Sequence, residues 1–384
     1  MEDQSASNSS NLFAFDIYKQ LKKPEQNLFV SPLSIFTAIT MIYVGARGAT
    51  EQEIKDILHI SIPQRRLPIQ VKNLNEMLRS HEETIIKMAN SIWTDLAYEL
   101  SESFLFVIDE NYEGSLYKEN FSDIEGTCDK INAWVSQNTE QKIKGIITPI
   151  QFDPGIKLIL LNAIYFKGQW EKPFKKDLTE NAPFYLEDGS SVQVEMMYQK
   201  ETFSYHEDER LQILEIPYKI VLRFGTEVCY SMIIILPRDK RGLEDFEENI
   251  TLEKISKILE QLQQEEVKIF IPKFKIETKY ELKKDLMEMG MTESFTGDAD
   301  FSGIVDTSKS EAPFIGEIIH KAFVDVNEEG TEAAAVTMIT ALPKSMSIHK
   351  EIPEFKADHP FMFMIQDSET KNILFIGRIG NPKE

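Results

Sequence analysis

The sequence predicts an α+β fold. Long helical patterns gather in the early part of the chain. Long apolar and β-branched runs gather later, and they do not alternate with helices as βαβ units do. Hydrophobic residues make up 42% of the 384 positions and charged residues 27%, the balance of a chain that buries a core. That length is ample for one large core or two average ones, and no internal repeat or low-complexity linker divides it.

In chain order, Leu12, Phe13, Phe15, Ile17 and Leu21 crowd at near-helical spacing, and Pro24 stops that helix. NLFVSP (27–32) reads as a short strand entering a helix, with Ser31 as cap and Pro32 in the first turn. Ala38, Ile39, Met41, Ile42 and Val44 continue this helix to Gly45. Thr50-Glu51-Gln52-Glu53 has the spacing of a capping box that opens IKDILHI. Lys130 to Ile147, with Ile131, Trp134 and Val135, predicts a further helix. KLILLNAIYFKGQW (157–170) is nearly continuous in apolar residues, which suits a strand covered on both faces. YSMIIILP (230–237) is similar, and VKIFIPKFKIET (267–278) has strand composition. HPFMFMIQD (359–367) and NILFIGRIG (372–380) predict a C-terminal hairpin.

The formal net charge of −21 argues against a nucleic-acid binder, because phosphate repels such a chain on approach. No run reaches the roughly 18 apolar residues of a membrane span. The opening MEDQSASNSS has no apolar core of a signal peptide. The expectation is a soluble chain, either cytoplasmic or the mature form of a secreted protein. Sequons at Asn8, Asn120 and Asn249 tilt that choice toward a secreted glycoprotein. Cys128 and Cys229 lie too far apart for a metal-ligand spacing. They are read as free thiols packed as small hydrophobes, with a single bridge left open.

Catalytic chemistry has no motif here. His81 is followed by Glu82-Glu83 and no second histidine, so HExxH is absent. There is no G-x-S-x-G elbow and no phosphate-cradling glycine loop. The 63 acidic residues supply carboxylate pairs by chance. The sequence therefore predicts neither an enzyme nor a required cofactor or metal.

Seven stretches point elsewhere. NLFVSPLSI (27–35), LLNAIYFKGQWEKPF (160–174), FIPKF (270–274), ADFSGI (299–304), IIHKAFVDVNEEGTEAAA (318–335), HPFMFMI (359–365) and FIGRIGNP (375–382) stand in the order and spacing of one family. The chain resembles a serpin from end to end. That resemblance implies one domain over 1–384, with three β-sheets, eight or nine helices and an exposed reactive-centre loop at about 328–353. It implies a monomer that inhibits a serine protease as a suicide substrate. The protease cleaves the loop, and the loop then inserts into the largest sheet as a new strand.

The residues of that loop suit the task. A strand has a period of two, so Thr331, Ala333, Ala335, Thr337, Ile339 and Ala341 share one face. That set is mostly small and carries no charge, which lets it enter a core without burying a charge. Of the alternate set, only Glu332 is charged. No proline interrupts 331–337, and Gly330 gives backbone freedom at the hinge. A dozen added residues, at about 1 kcal/mol per net hydrogen bond plus apolar burial, would release on the order of 10 kcal/mol or more. The uncleaved state would then be kinetically trapped.

The family's count of sixteen positions from the hinge glutamate, Glu328, implies cleavage at Lys344-Ser345. Lys350 and Met346 stand as rival sites. A lysine suits a trypsin-like protease, whose specificity pocket ends in an aspartate. The resemblance also implies a hinge of Glu328, Glu329, Gly330, Thr331, Glu332, Ala333, Ala334 and Ala335. It implies a "breach" of Trp170 and Lys273, with Lys273 paired to Glu328, and a "shutter" of Ser31, Ser34, Asn162 and His320. Some members bind heparin-like glycosaminoglycans on an early helix, where this chain has Arg65, Arg66, Lys72 and Arg79, diluted by Glu76, Glu82 and Glu83. The alternative is a non-inhibitory member, a carrier, chaperone or storage protein. Such members tend to carry prolines or bulky or charged residues in the hinge.

Overall fold

The structure is a computed structural model. It describes residues 5–76, 84–112, 115–152, 156–223, 226–331 and 351–384. Nine α-helices are present among the described residues, six of them before residue 139 and three short ones after residue 242. A six-stranded sheet runs in the order Phe274–Glu281, Glu317–Asn327, Gly330–Thr331, Leu158–Gln169, Thr84–Asp95, Ser115–Glu119. A nine-stranded sheet runs Leu28–Val30, Ile373–Ile379, Phe361–Asp367, Tyr230–Pro237, Leu211–Pro217, Ser191–Glu207, Gln263–Pro272, Glu354–Lys356, with Glu180–Tyr185 paired to the start of Ser191–Glu207. A small sheet joins Val221–Arg223 to Thr226–Val228. The mixed α+β architecture is the expected one.

The apolar run 157–170 forms the strand Leu158–Gln169, and its first nine residues are all buried. Leu158 and Leu160 face the core under the N-terminal helices. Ile159, Leu161 and Ala163 face the core under the helix Ile124–Asn138. Both faces are covered, which explains why the run is not alternating. A third cluster fills the space between the sheets, around Phe29, Phe166, Trp170, Tyr218, Phe363 and Phe375. The C-terminal hairpin forms as expected, Phe361–Asp367 antiparallel to Ile373–Ile379. Both cysteines are free, Cys128 buried and Cys229 half-buried.

Three expectations change. The apolar run 267–278 is not one strand. It splits at Lys273, whose N–H donates to the Glu195 carbonyl at 2.8 Å, so its halves enter different sheets. The helix expected over Lys130–Ile147 spans Ile124–Asn138. Glu140 and Gln141 then take positive φ, and the chain doubles back along the helix. The Asn132 carboxamide oxygen accepts from the N–H groups of Ile146 and Ile147, and its Nδ2 donates to the Ile147 carbonyl. These bonds hold Ile143, Ile146 and Ile147 against the sheet. The expected capping box at 50–53 does not form. The helix starts at Gly48 with Arg47 as an N-cap that makes no side-chain bond. Thr50 instead accepts from the N–H of Asp300, and Glu53 accepts from three successive N–H groups, Thr292, Glu293 and Ser294. A tertiary set of donors outcompetes the local ones.

Candidate functional site

The strands Leu158–Gln169 and Glu317–Asn327 are parallel neighbours from Ile159↔Glu317 to Tyr165↔Phe323. Above that point they part, and Gly330–Thr331 lies between them, antiparallel to both.

Polar side chains are buried beneath the seam between these strands. Ser31 caps the helix Pro32–Tyr43, its Oγ accepting from Ser34 N–H at 3.3 Å and donating to the Leu374 carbonyl at 2.7 Å. Ser31 N–H donates to His320 Nε2 at 3.2 Å. The imidazole proton therefore sits on Nδ1 and donates to the Asn162 carboxamide oxygen. Asn162 Nδ2 donates in turn to the Ser34 carbonyl at 3.1 Å, to Ser34 Oγ and to Asn90 Oδ1. Ser31, Ser34, Asn162 and His320 are wholly buried. Burial lowers the His320 pKa to about 3, so the ring is neutral. The four predicted shutter residues thus form one network, and every member is bonded. Asn90 is a fifth member that the sequence did not flag. Its signal was its register opposite Asn162, which is known only once the strands are paired.

The upper end of the seam holds Trp170, Lys273 and the described part of the expected hinge, Glu328 to Thr331. Trp170 is fully buried, and its Nε1 donates to the Asn327 carbonyl at 3.0 Å. Its backbone N–H donates to the Glu329 carbonyl, and Phe174 N–H donates to the Glu328 carbonyl at 2.7 Å. Glu328 is buried, with Thr179 Oγ1 donating to its carboxylate at 2.9 Å and Lys273 Nζ 3.4 Å away. Burial pushes the Glu328 pKa up, but its own backbone N–H, Thr179 and Lys273 together outweigh that and hold it low. The expected Lys273–Glu328 pair is present, and Lys273 is also 3.4 Å from Glu195. Glu329 pairs with Lys176 at 2.6 Å. Gly330 has φ +151, and a Cβ there would fall 2.1 Å from the Gly168 carbonyl oxygen. Thr331 is wholly buried, and its hydroxyl shares a 2.8 Å hydrogen bond with that of Tyr218.

Residues 8–382 match the family model described as serpin, serine protease inhibitor. The chain belongs to the serpin family. It is 38% identical over 380 residues to an uncharacterised serpin-like protein of Thermococcus kodakarensis, covering 98% of this chain and 86% of that one. It is 37% identical to the leukocyte elastase inhibitor of Xenopus laevis, covering 99% and 100%. Among solved structures it superposes with a TM-score of 0.85 on a highly specific serpin of the insect Tenebrio molitor, at 31% identity and 99% coverage of both chains. The family is one of protease inhibitors rather than enzymes.

The remaining expected sites of this serpin are scattered. Arg65 and Arg66 are exposed on a single 3-10 turn, while Lys72 donates to the Glu110 carbonyl at 2.8 Å. Asn120 and Asn249 are exposed, whereas Asn8 is half-buried in the first helix. Arg79, Glu332, Ala333, Ala334, Ala335, Lys344 and Ser345 lie outside the described residues, as do the rival sites Met346 and Lys350. Gly168, Thr179, Glu195 and Tyr218 complete the hinge pocket and were not legible as site residues. None carries a sequence signal, because each acts through a neighbour brought in by the fold.

Proposed function

We propose that this serpin is an inhibitor of trypsin-like serine proteases that acts as a suicide substrate. Lys344 fills the aspartate-based pocket of the protease. The protease's serine attacks the Lys344 carbonyl, Ser345 leaves as the new amine terminus, and the acyl-enzyme forms. The segment 331–342 then enters the seam between Leu158–Gln169 and Glu317–Asn327 and carries the acylated protease away from its starting position. The observation that carries this reading is the Gly330–Thr331 strand, already paired with both walls of that seam. The uncharged Ala/Thr composition that follows it supports the same reading. Residues Glu328, Lys273 and Trp170 hold the entry, and the neutral His320 network underlies the part of the seam that must open. The chain is read as a secreted protein with glycans on Asn120 and Asn249, and Arg65 and Arg66 as contacts for a heparin-like polysaccharide.

The test mixes the protein with trypsin and separates the products by SDS gel. A covalent band at the mass of trypsin plus residues 1–344 is expected, since the segment after the cleaved bond separates in SDS, and Lys344→Ala should lose it. Cleavage of the loop with no such band would overturn the inhibitory reading.

A further inference from the structure

The motif FIGRIGNP (375–382) sets an arginine into an otherwise apolar strand, and the inhibitory reading gives that residue no task. Arg378 is wholly buried. Its Nη1 donates to Glu247 Oε2 at 3.2 Å and to the Lys23 carbonyl at 3.4 Å. Glu247, on the helix Leu243–Glu248, is wholly buried too, accepts from the Tyr18 hydroxyl and lies 3.9 Å from Lys22 Nζ. One side of the guanidinium is therefore satisfied. The opposite edge is not. Arg378 Nε and Nη2 are closed to solvent and have no hydrogen-bond partner among the described residues, and the same holds for Glu187 Oε2. Glu187 sits in the turn 186–190, between the strands Glu180–Tyr185 and Ser191–Glu207. Its Oε2 is 3.6 Å from Arg378 Nη2, close enough to attract but too long for a hydrogen bond.

Buried charged groups rarely lack hydrogen bonds, because an unmade one leaves desolvation uncompensated. The two donors Nε and Nη2 point the same way, along one edge of the planar guanidinium. The species that completes this site must accept from that edge and donate to Glu187. An anion would accept but face the Glu187 carboxylate. A cation would suit Glu187 but face the guanidinium. The network already balances in charge, with Arg378 and Lys22 against Glu247 and Glu187. Water is neutral, both donates and accepts, and bridges buried groups that stand too far apart to bond directly. We propose that Arg378 and Glu187 form a site for one internal water molecule, which accepts from Nε and Nη2 and donates to Oε2. This bridge fastens the turn 186–190 to the buried charges shared by the helix Ala6–Leu21, the helix Leu243–Glu248 and the strand Ile373–Ile379. Glu247 thus holds Arg378 directly, and Glu187 holds it through water. The inference is independent of the inhibitory reading.

The test joins a crystal structure of the uncleaved wild type, at a resolution that shows ordered water, to magnetic relaxation dispersion of water in solution, which counts long-lived internal molecules. Wild type, Glu187→Gln and Glu187→Leu are compared. The crystal should show one water within hydrogen-bond distance of both Arg378 and Glu187. The count should fall by one in Glu187→Leu, which lacks an acceptor, and stay at the wild-type value in Glu187→Gln, which keeps one. The urea midpoint should follow the count, lower in Glu187→Leu and near wild type in Glu187→Gln. A direct Arg378–Glu187 contact with no water between them, an ion at that position, or an equal count in wild type and Glu187→Leu would overturn the proposal. The wild-type crystal decides alone should Glu187→Leu fail to fold.

Discussion

His320 carries the sharpest residue-scale consequence. Its Nε2 accepts from Ser31 N–H, so a proton added there would face a donor rather than an acceptor. The folded-state pKa is about 3, below the unfolded value near 6.5. Between these values the unfolded chain binds a proton that the native chain does not. Acid therefore favours unfolding, by about 1.4 kcal/mol for each pH unit below 6.5. The stabilisation is whole above pH 6.5 and declines as pH falls toward 3. The midpoint of urea unfolding should fall between pH 7.5 and 5 in the wild type, and His320→Gln should fall less steeply. Equal slopes would show that another group controls the acid response. Ser31, Ser34, Asn162 and His320 were singled out by the family resemblance, and only the folded chain shows that they bond to one another. Asn90 was not, since a single asparagine in a strand says nothing until its cross-strand partner is known.

At the scale of elements, strands outperformed helix boundaries. Continuous apolar runs such as 158–166 and 230–237 can satisfy their burial only as covered strands, so composition located them. The helix Ile124–Asn138 shows the opposite case. The residues 143–147 continue its apolar character, yet Asn132 captures their backbone and lays them on the sheet. Asn132→Ala removes the partner of three backbone groups in a half-buried setting. The expected loss is roughly 2–4 kcal/mol, read from the thermal or urea midpoint of the uncleaved protein. A change within about 0.5 kcal/mol would mean that water replaces the carboxamide. Thr50 and Glu53 teach the same lesson: the capping pattern was present, but the loop 292–300 offered more donors.

The whole-molecule question is whether the uncleaved fold is the most stable arrangement of this chain. A seam that opens at Tyr165–Phe323 and already holds two residues can accept a longer strand on added ladder bonds alone. Limited cleavage by trypsin in the loop should raise the thermal midpoint by roughly 10–15 °C, on an estimate of about 1 kcal/mol per added hydrogen bond. Thr331→Arg should abolish that gain and, on the proposed inhibitory reading, leave only substrate behaviour, because an unpaired guanidinium would occupy a site that is wholly closed to water. A nicked Thr331→Arg protein as heat-resistant as nicked wild type would sink this account of the driving force.

The sequence alone carried the family, through its ordered motifs, and the α+β class, through its apolar runs; the expected shutter and breach residues came with the family resemblance. Those features are local or follow from ordered motifs, and burial or period-two packing constrains them residue by residue. The tertiary structure decided which groups meet. It set Lys273 between Glu195 and Glu328, Asn90 against Asn162, Gly168 beneath Gly330 and the Tyr218 hydroxyl on Thr331. Each of these depends on strand register and on contacts between residues 55 to 162 positions apart, which no local pattern encodes.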